Sequence, residues 1–115
     1  MIIISLQTVS RTHDLVIQAD AFGVTILAQD QQELSERFAG RGDDEVDRLA
    51  GVETETLVTG APFITGGLAY LDCRVAQTIP VGSNTLFLAE VVAAYGDGEG
   101  QPLVYHDRKY RKLTD

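Results

Sequence analysis

The sequence predicts a mainly β domain, a closed β-barrel that carries one or two short helices. The strongest observation is the stretch 67–95, in which two long apolar-rich runs flank Pro80-Val81-Gly82-Ser83. Pro80 fixes its own φ and Gly82 tolerates a positive φ, so the chain can reverse there. Further apolar runs of strand length, separated by glycine-containing turns, indicate additional strands. We therefore expect a long β-hairpin at the centre of a sheet or barrel.

The two arms of this hairpin are expected to bury different faces. On the first arm, apolar and more polar residues alternate as Leu71, Cys73 and Val75 against Tyr70, Asp72 and Arg74. This period of two is typical of a strand with one buried face. On the second arm, residues 86–95 contain a single charge, Glu90, which predicts that both faces are covered. A buried helix of this length is the alternative, but the β-branched and aromatic residues favour a strand.

A short buried strand is predicted for Ile2-Ile3-Ile4-Ser5-Leu6, directly after the initiator methionine. A strand that is buried on both faces normally has neighbours supplied by earlier chain. We therefore expect one of two situations. Either this strand lies at the edge of a sheet, where it invites pairing with another chain, or the sequence is a shortened form of something longer.

Local patterns predict the remaining elements. Residues 22–28 alternate as a second strand, with Phe22, Val24, Ile26 and Ala28 on one face. Asp30 and Glu33 form a capping-box pattern that opens a helix through Ala39, which Gly40 ends. The other predicted elements are a loop at 40–44, a marginal helical turn at 45–50, a strand at 54–58, and a last strand at 103–106 followed by a tight turn at Asp107-Arg108.

Charge, hydropathy and cysteine content exclude several classes of protein. The net charge of −8 argues against general affinity for nucleic acids, and no run of eighteen apolar residues is available to cross a membrane. The single cysteine, Cys73, is expected to be a small core residue rather than a reactive thiol. It agrees with a reducing, cytoplasmic setting. The basic segment Arg108-Lys109-Tyr110-Arg111-Lys112 is expected to be a solvated strand edge, with a ligand-binding patch as the alternative.

No acid–base or metal constellation is visible in the sequence. There is no glycine-rich phosphate loop and no paired-cysteine spacing, and His13 and His106 are too far apart to indicate a metal pair. One segment has a different chemistry. Residues 7–14 form a polar turn that leads into a helix, with Ser10 or Thr12 as the expected N-cap and Asp14 in the first turn. Hydroxyls, an arginine and a helix N-terminus can also hold a phosphate, so a simple cap and an anion site both remain open.

Seven segments stand in a characteristic order: SRTH at 10–13, FGVTILA at 22–28, QELSERFAG at 32–40, TGAP at 59–62, LDCRV at 71–75, NTLFLAEV at 84–91, and PLVYH at 102–106 continuing to YR at 110–111. Together they resemble the flavin reductase-like family, whose fold is the FMN-binding split barrel. The resemblance implies a mainly β split barrel with short helices over residues 1–115. It also implies that the opening strands of the family are absent, so that the domain is truncated at its N-terminus.

The resemblance further implies what this domain binds and does. It implies a homodimer with FMN or FAD near the subunit interface, reduced by NADH or NADPH and often serving a monooxygenase component. Because the flavin carries the hydride chemistry, no catalytic side chain is expected. The cofactor-binding residues that it implies are Gln7, Ser10, Arg11, Thr12, Thr25 and Gln31, and the nicotinamide-binding residues are Asn84, Thr85, Leu86 and Phe87.

The sequence leaves three alternatives open. Asn84 stands where the family often has a histidine, and it is either a turn residue or a cofactor contact. The domain could be a flavin- or nucleotide-binding module without reductase activity. It could also be a truncated fragment that is held together by oligomerisation through its open strand edges.

Overall fold

A computed structural model describes residues 1–39 and 49–114 of the chain. Its elements are β1 (Ile2–Gln7), α1 (Arg11–Ala19), β2 (Ala21–Ile26), α2 (Gln32–Phe38), β3 (Thr54–Glu55), β4 (Phe63–Ile64), β5 (Ala69–Val81), β6 (Asn84–Gly96), β7 (Val104–His106) and β8 (Lys109–Arg111). A four-stranded sheet has the order β1-β6-β5-β2, and β3-β4 and β7-β8 form two small sheets. The predicted loop at 40–44 and most of the helical turn predicted at 45–50 lie outside the described residues.

The predicted central hairpin is confirmed. β5 and β6 have 13 residues each and occupy the two middle positions of the four-stranded sheet. Only Gly82 and Ser83 connect them, and Gly82 has a φ of +58°. A two-residue connection of this kind needs a positive φ in order to match the right-handed twist of the strands, and glycine adopts it without a steric penalty.

β1 is an edge strand, as one of the two alternatives predicted. It pairs antiparallel with β6 from Ile2 opposite Ala89 to Gln7 opposite Asn84. The expectation that it is buried on both faces was wrong. Ile2 and Ile4 pack against the core, whereas Ile3 is 60% exposed. The reason is the position at the edge, where α1 contacts the strand from one side of the sheet.

Two compact units make up the described chain, and each is described by itself. The first contains residues 1–24, 56–62 and 71–94, and the second contains residues 25–55, 63–70 and 95–115 in their described parts. Buried side chains in the core of the first unit come from α1, β2, β5 and β6, and they are Val16, Phe22, Cys73, Phe87 and Ala89. The prediction that Cys73 is a core residue is therefore confirmed.

Burial along the hairpin differs from the prediction on both arms. Tyr70 and Asp72 were expected on an open face of β5, but they are 2% and 0% exposed. In the first unit the segment 56–62 supplies hydrogen-bond donors to Asp72, and in the second unit Tyr70 stacks on Phe63 with ring centroids 5.0 Å apart. On β6, both faces were expected to be buried along the whole strand. Beyond Ala89 one face is open, since Glu90 is exposed and Val92 is 39% exposed. β-branched residues suit the pleated surface of a strand even where it is open.

The strand predicted at 54–58 is shorter than expected, and its partner was missed. β3 covers only Thr54–Glu55 and pairs with β4, with Thr54 opposite Ile64. The backbone N–H group of Val58 instead donates to the Asp72 carboxylate at 2.7 Å. Pairing stops because this N–H group is committed to a side chain rather than to a neighbouring strand.

Local hydrogen bonds also explain the outcome at α2. The capping box predicted at Asp30 and Glu33 was wrong, since Gln31 is the cap residue and makes no side-chain cap bond. The Gln31 side chain accepts from the Ala28 N–H at 2.8 Å and donates to the Thr65 carbonyl at 3.1 Å. The tight turn at Asp107-Arg108 is confirmed, with φ values of +53° and +61° between β7 and β8. Among the described helices, neither has the length and apolar character that crossing a membrane requires.

Replacing Phe87 by alanine tests the core of the first unit. Phe87 is 0% exposed and lies among the buried residues of that core. We expect Phe87→Ala to lower the free energy of unfolding by about 3–5 kcal/mol, since the lost transfer energy and the cavity both contribute. Val92→Ala on the same strand is the control and should cost less than about 1 kcal/mol, because Val92 is partly exposed. Urea unfolding measures both, and equal costs would contradict the described packing.

Candidate functional site

The N-terminus of α1 is capped by Ser10, which decides between the two predicted caps. Ser10 has φ −80° and ψ 148°, and its hydroxyl oxygen accepts from the His13 N–H at 3.2 Å. The same hydroxyl donates to the Gln7 carbonyl at 2.8 Å. Helix geometry directs the N–H groups of the first turn out of the helix N-terminus, where no intrahelical carbonyl can reach them. Arg11 and Thr12 belong to this turn, and their side chains are exposed.

The loop before α1 is fastened to the turn of the central hairpin. The backbone N–H and the hydroxyl of Thr8 both donate to the Ser83 carbonyl, at 2.9 and 3.1 Å. Gln7 lies directly opposite Asn84 in the β1–β6 register. Residues that are 70 or more positions apart in the sequence thus meet at one end of the first unit. The predicted residues brought together there are Gln7, Ser10, Arg11, Thr12, Asn84, Thr85, Leu86 and Phe87.

The four residues predicted to contact nicotinamide do not share one face of β6. Thr85 and Phe87 are 7% and 0% exposed and lie on the face that His13 of α1 contacts. Asn84 and Leu86 lie on the opposite face and are half-buried. Any ligand contact from residues 85 and 87 would therefore have to use the backbone, because their side chains are enclosed by the core.

Asn84 is the first residue of β6, and its side chain already has partners. Its Nδ2 donates to the Ser5 hydroxyl at 2.8 Å across the β1–β6 pair. Its Oδ1 lies 3.3 Å from the Ser83 hydroxyl. The amide thus ties the start of β6 to β1 and to the turn. A contact with a ligand would have to come from the remaining hydrogen-bonding capacity of this amide.

Thr25 and Gln31 belong to the second unit, where they meet at the segment 64–67. The Thr25 hydroxyl accepts from the Ile64 N–H at 3.4 Å, and Gln31 donates to the Thr65 carbonyl at 3.1 Å. In the same segment, a Cβ on Gly67 would lie 3.1 Å from the Ile26 carbonyl oxygen. Both predicted cofactor residues therefore hold a glycine-containing loop whose backbone approaches β2 closely.

Sequence reasoning missed Asp72, a fully buried carboxylate in the first unit. It accepts hydrogen bonds from the Val58 N–H, the Thr59 N–H and the Thr59 hydroxyl, at 2.7, 2.9 and 2.5 Å. Burial by itself raises the pKa of Asp72, but the bond from the Thr59 hydroxyl and the two backbone bonds outweigh burial, and the pKa lies below its ordinary value. The carboxylate therefore stays ionised and anchors the segment 56–62. In the sequence, Asp72 alternates with the apolar Leu71 and Cys73, and this pattern predicts an exposed side chain rather than a buried one.

Within the ranges 1–39 and 49–114, no group of three or more histidine, cysteine or carboxylate side chains is arranged to hold a metal ion. The candidate site is instead built from hydrogen-bond donors. Two backbone N–H groups, a hydroxyl and a guanidinium at the start of α1 form a set that suits an anion with several oxygens, such as a phosphate.

Residues 1–114 match the family model of the flavin reductase like domain. The chain belongs to this family. Over 101 residues it is 35% identical to the FMN reductase (NADH) RutF of Pseudomonas syringae pv. syringae strain B728a, a match that covers 88% of this chain and 56% of that protein. The flavin reductase-like domain spans between half and two thirds of the length of the first curated relatives that it matches.

Two solved structures place the fold. The NADH:FAD oxidoreductase SgcE6 of Streptomyces globisporus C-1027 superposes with a TM-score of 0.89 at 23% identity, over 98% of this chain and 68% of that one. The styrene monooxygenase flavin reductase (SMOB) of Pseudomonas putida S12 superposes with a TM-score of 0.80 at 30% identity, over 97% of this chain and 70% of that one. The predicted fold class, a mainly β split barrel with short helices, is confirmed.

The pH dependence of stability tests the role of Asp72 in the flavin reductase-like domain. Because its pKa is lower in the folded state, the carboxylate contributes stability that is complete above the ordinary carboxyl pKa of about 3.9 and is lost as the pH falls through the folded value. At pH 7 we expect Asp72→Asn to lower the free energy of unfolding by about 1.5–3 kcal/mol. The difference from wild type should shrink below about pH 4.

Asp107→Asn is the matched control for this prediction. Asp107 is exposed in the β7–β8 turn, and asparagine tolerates the positive φ of that position. Its unfolding free energy should follow wild type across the pH range. A cost for Asp72→Asn that is the same at pH 7 and at pH 3 would contradict the ionised anchor.

Proposed function

We propose that this chain is an NAD(P)H-dependent flavin reductase, which uses NADH or NADPH to reduce FMN or FAD. The observation that carries the proposal is the attachment of the α1 N-terminus to the start of β6, through Thr8 and Ser83. It unites the segment suited to a phosphate with the segment predicted to meet nicotinamide. Membership of the family and the likeness to an FMN reductase (NADH) support the same activity.

The flavin phosphate would be held by the first turn of α1. Arg11 and Thr12 would supply backbone N–H groups, one guanidinium and one hydroxyl to the phosphate oxygens. Ser10 would act mainly by shaping this turn, because its hydroxyl proton is donated to the Gln7 carbonyl. Gln7, exposed at the end of β1, would contribute its amide at the rim of the same region. This division of roles follows from the bond between Ser10 and Gln7 and from the exposure of Arg11 and Thr12 in the first turn.

The nicotinamide and the flavin ring would meet further groups. Asn84 and Leu86 would contact the nicotinamide with side chains, while residues 85 and 87 would contribute backbone atoms. Thr25 and Gln31 would act on the flavin by holding the loop 64–67 in place. When bound, the flavin supplies the group that accepts and passes on a hydride. The residues of this chain would bind and orient the flavin and the nicotinamide and would exclude water from them. No side chain is assigned a proton transfer.

A flavin-binding module without reductase activity is the second candidate, and one observation favours it. The Asn84 amide is engaged with Ser5 and Ser83, and the Thr85 and Phe87 side chains are enclosed. This leaves few side-chain groups for a nicotinamide. A purified yellow protein that binds FMN but oxidises no NADH or NADPH would identify this candidate.

We also propose a homodimer that serves a monooxygenase component in the cytoplasm. β1 lies at a sheet edge with Ile3 60% exposed, which suits pairing with a second copy. A solved relative at 30% identity is the flavin reductase of a styrene monooxygenase. The unpaired and buried Cys73 agrees with a reducing compartment.

Replacing Arg11 by alanine tests the proposed reductase. FMN should bind about ten- to a hundredfold more weakly, since one charge-assisted contact with the phosphate is lost. Riboflavin, which lacks the phosphate, should bind wild type and variant alike. The measurements are flavin fluorescence titration and NADH oxidation with added FMN. Arg74→Ala is the control, because Arg74 is an exposed arginine on β5. Wild type that neither binds FMN nor oxidises NADH or NADPH would refute the proposed function.

The oligomeric state tests the proposed dimer. We expect light scattering at micromolar concentration to give twice the mass of the chain. Ile3→Lys should shift the protein toward the monomer, since a charge on an edge strand opposes pairing. Leu113→Lys is the control, because Leu113 has the same exposure of 60%. A folded wild-type protein that is strictly monomeric would contradict the dimer.

A further inference from the structure

His13 is a half-buried histidine of α1 that the proposed function does not use. Its side chain is 13% exposed. Its Nε2 lies 2.9 Å from the Thr85 hydroxyl, and its Nδ1 lies 3.3 Å from a carboxylate oxygen of Asp14. Its ring also meets Phe87 edge-on, with centroids 5.5 Å apart. The imidazole therefore links the first turn of α1 to the beginning of β6.

Both ring nitrogens of His13 have a partner within hydrogen-bond distance. The Asp14 carboxylate can only accept a hydrogen bond, so it favours the tautomer with the proton on Nδ1, in which Nε2 accepts from the Thr85 hydroxyl. The ring thus bridges α1 and β6 through Nε2 and the Thr85 hydroxyl. Thr85 is 7% exposed, so loss of its bond to His13 would leave a buried hydroxyl without that partner, which is costly.

The phosphate-binding turn lies between two anchors on the same hairpin. Before the turn, Thr8 donates twice to the Ser83 carbonyl. After the turn, His13 binds Thr85, and the His13 backbone N–H is also the group that Ser10 caps. Residues 10–12 are thus held at both ends. A change at the His13 anchor would alter the orientation of the turn to which Arg11 and Thr12 belong.

We propose that His13 is a positioning residue, which couples the phosphate-binding turn of α1 to the start of β6 through Thr85. The proposal rests on the function proposed above. His13 sets the direction of the backbone donors, and Thr85 transmits the position of β6 to them. The turn and the strand then keep a fixed spacing, which is the spacing between the flavin phosphate and the nicotinamide segment.

A purely structural histidine would behave differently from a positioning residue. Losing a core contact lowers stability and weakens the binding of every flavin by the same factor. If the phosphate donors are no longer correctly oriented, only the binding of ligands that carry the phosphate becomes weaker. The ratio of riboflavin to FMN dissociation constants therefore separates the two roles. Hydrogen exchange of the backbone in the flavin-free protein reports on the turn independently of any ligand.

The experiment compares three substitutions in the full chain. Thr85→Val keeps the shape and removes the hydroxyl, Thr85→Ser restores the hydroxyl, and Val91→Ala is a core control on the same strand. We expect Thr85→Val to weaken FMN binding about five- to tenfold, because the hydrogen bond that positions the turn is lost. Riboflavin affinity should stay within about twofold of wild type, and Thr85→Ser should recover the FMN affinity. Exchange of residues 8–14 should be faster in Thr85→Val and unchanged in Val91→Ala.

The other outcomes distinguish a failure of the positioning role of His13 from a failure of the proposed phosphate site. Equal weakening of FMN and riboflavin, or exchange of residues 8–14 no faster than in Val91→Ala, overturns the positioning role of His13. Wild type that binds FMN no better than riboflavin overturns the phosphate site of the proposed function instead. In that case the exchange of residues 8–14 in the flavin-free protein still decides whether His13 and Thr85 hold the turn.

Discussion

The reversal of the chain at Gly82 and Ser83 is the constraint on which the first unit depends. The positive φ of Gly82 lets β6 begin immediately, without a longer loop. The Ser83 carbonyl is then free to accept two hydrogen bonds from Thr8. β1 pairs with the strand that leaves this turn, and α1 follows from the end of β1. One tight turn thus fixes where the helix N-terminus lies.

Two polar side chains stabilise the first unit in different ways. Asp72 is a charged group inside the protein, where three converging donors offset the cost of desolvation. It therefore holds the segment 56–62 against β5. His13 is less buried and is satisfied by Thr85 and Asp14. Asp72 serves the fold, whereas His13 joins the fold to the donors that would bind a ligand.

Local sequence patterns were sufficient for the elements whose cause is local. The reversal at Gly82, the Ser10 cap and the turn at Asp107-Arg108 each follow from the conformational preferences of a few adjacent residues. Burial of Asp72 could not be predicted in this way, because its donors lie 13 and 14 residues away in the chain. The predicted capping box was wrong for a similar reason, since the Gln31 side chain donates to the Thr65 carbonyl, 34 residues later in the chain.

The candidate site was predictable as a set of segments but not as a set of side-chain directions. Family resemblance indicated residues 10–12 and 84–87. The β1–β6 register, together with the Thr8–Ser83 and His13–Thr85 bonds, brings these segments to one end of the first unit. The enclosure of Thr85 and Phe87 depends on which face of β6 lies against α1, and a one-residue shift in register would reverse it. Arg11 and Thr12 owe their position to the cap at Ser10, which orders the turn by accepting from the His13 N–H group.

A crystal structure of the chain with bound FMN would show directly where the flavin phosphate lies. We expect the phosphate to lie within about 3.2 Å of the backbone nitrogens of Arg11 and Thr12, with the Thr8–Ser83 and His13–Thr85 bonds intact. A phosphate bound away from the first turn of α1, or a turn detached from the start of β6 in the complex, would contradict it.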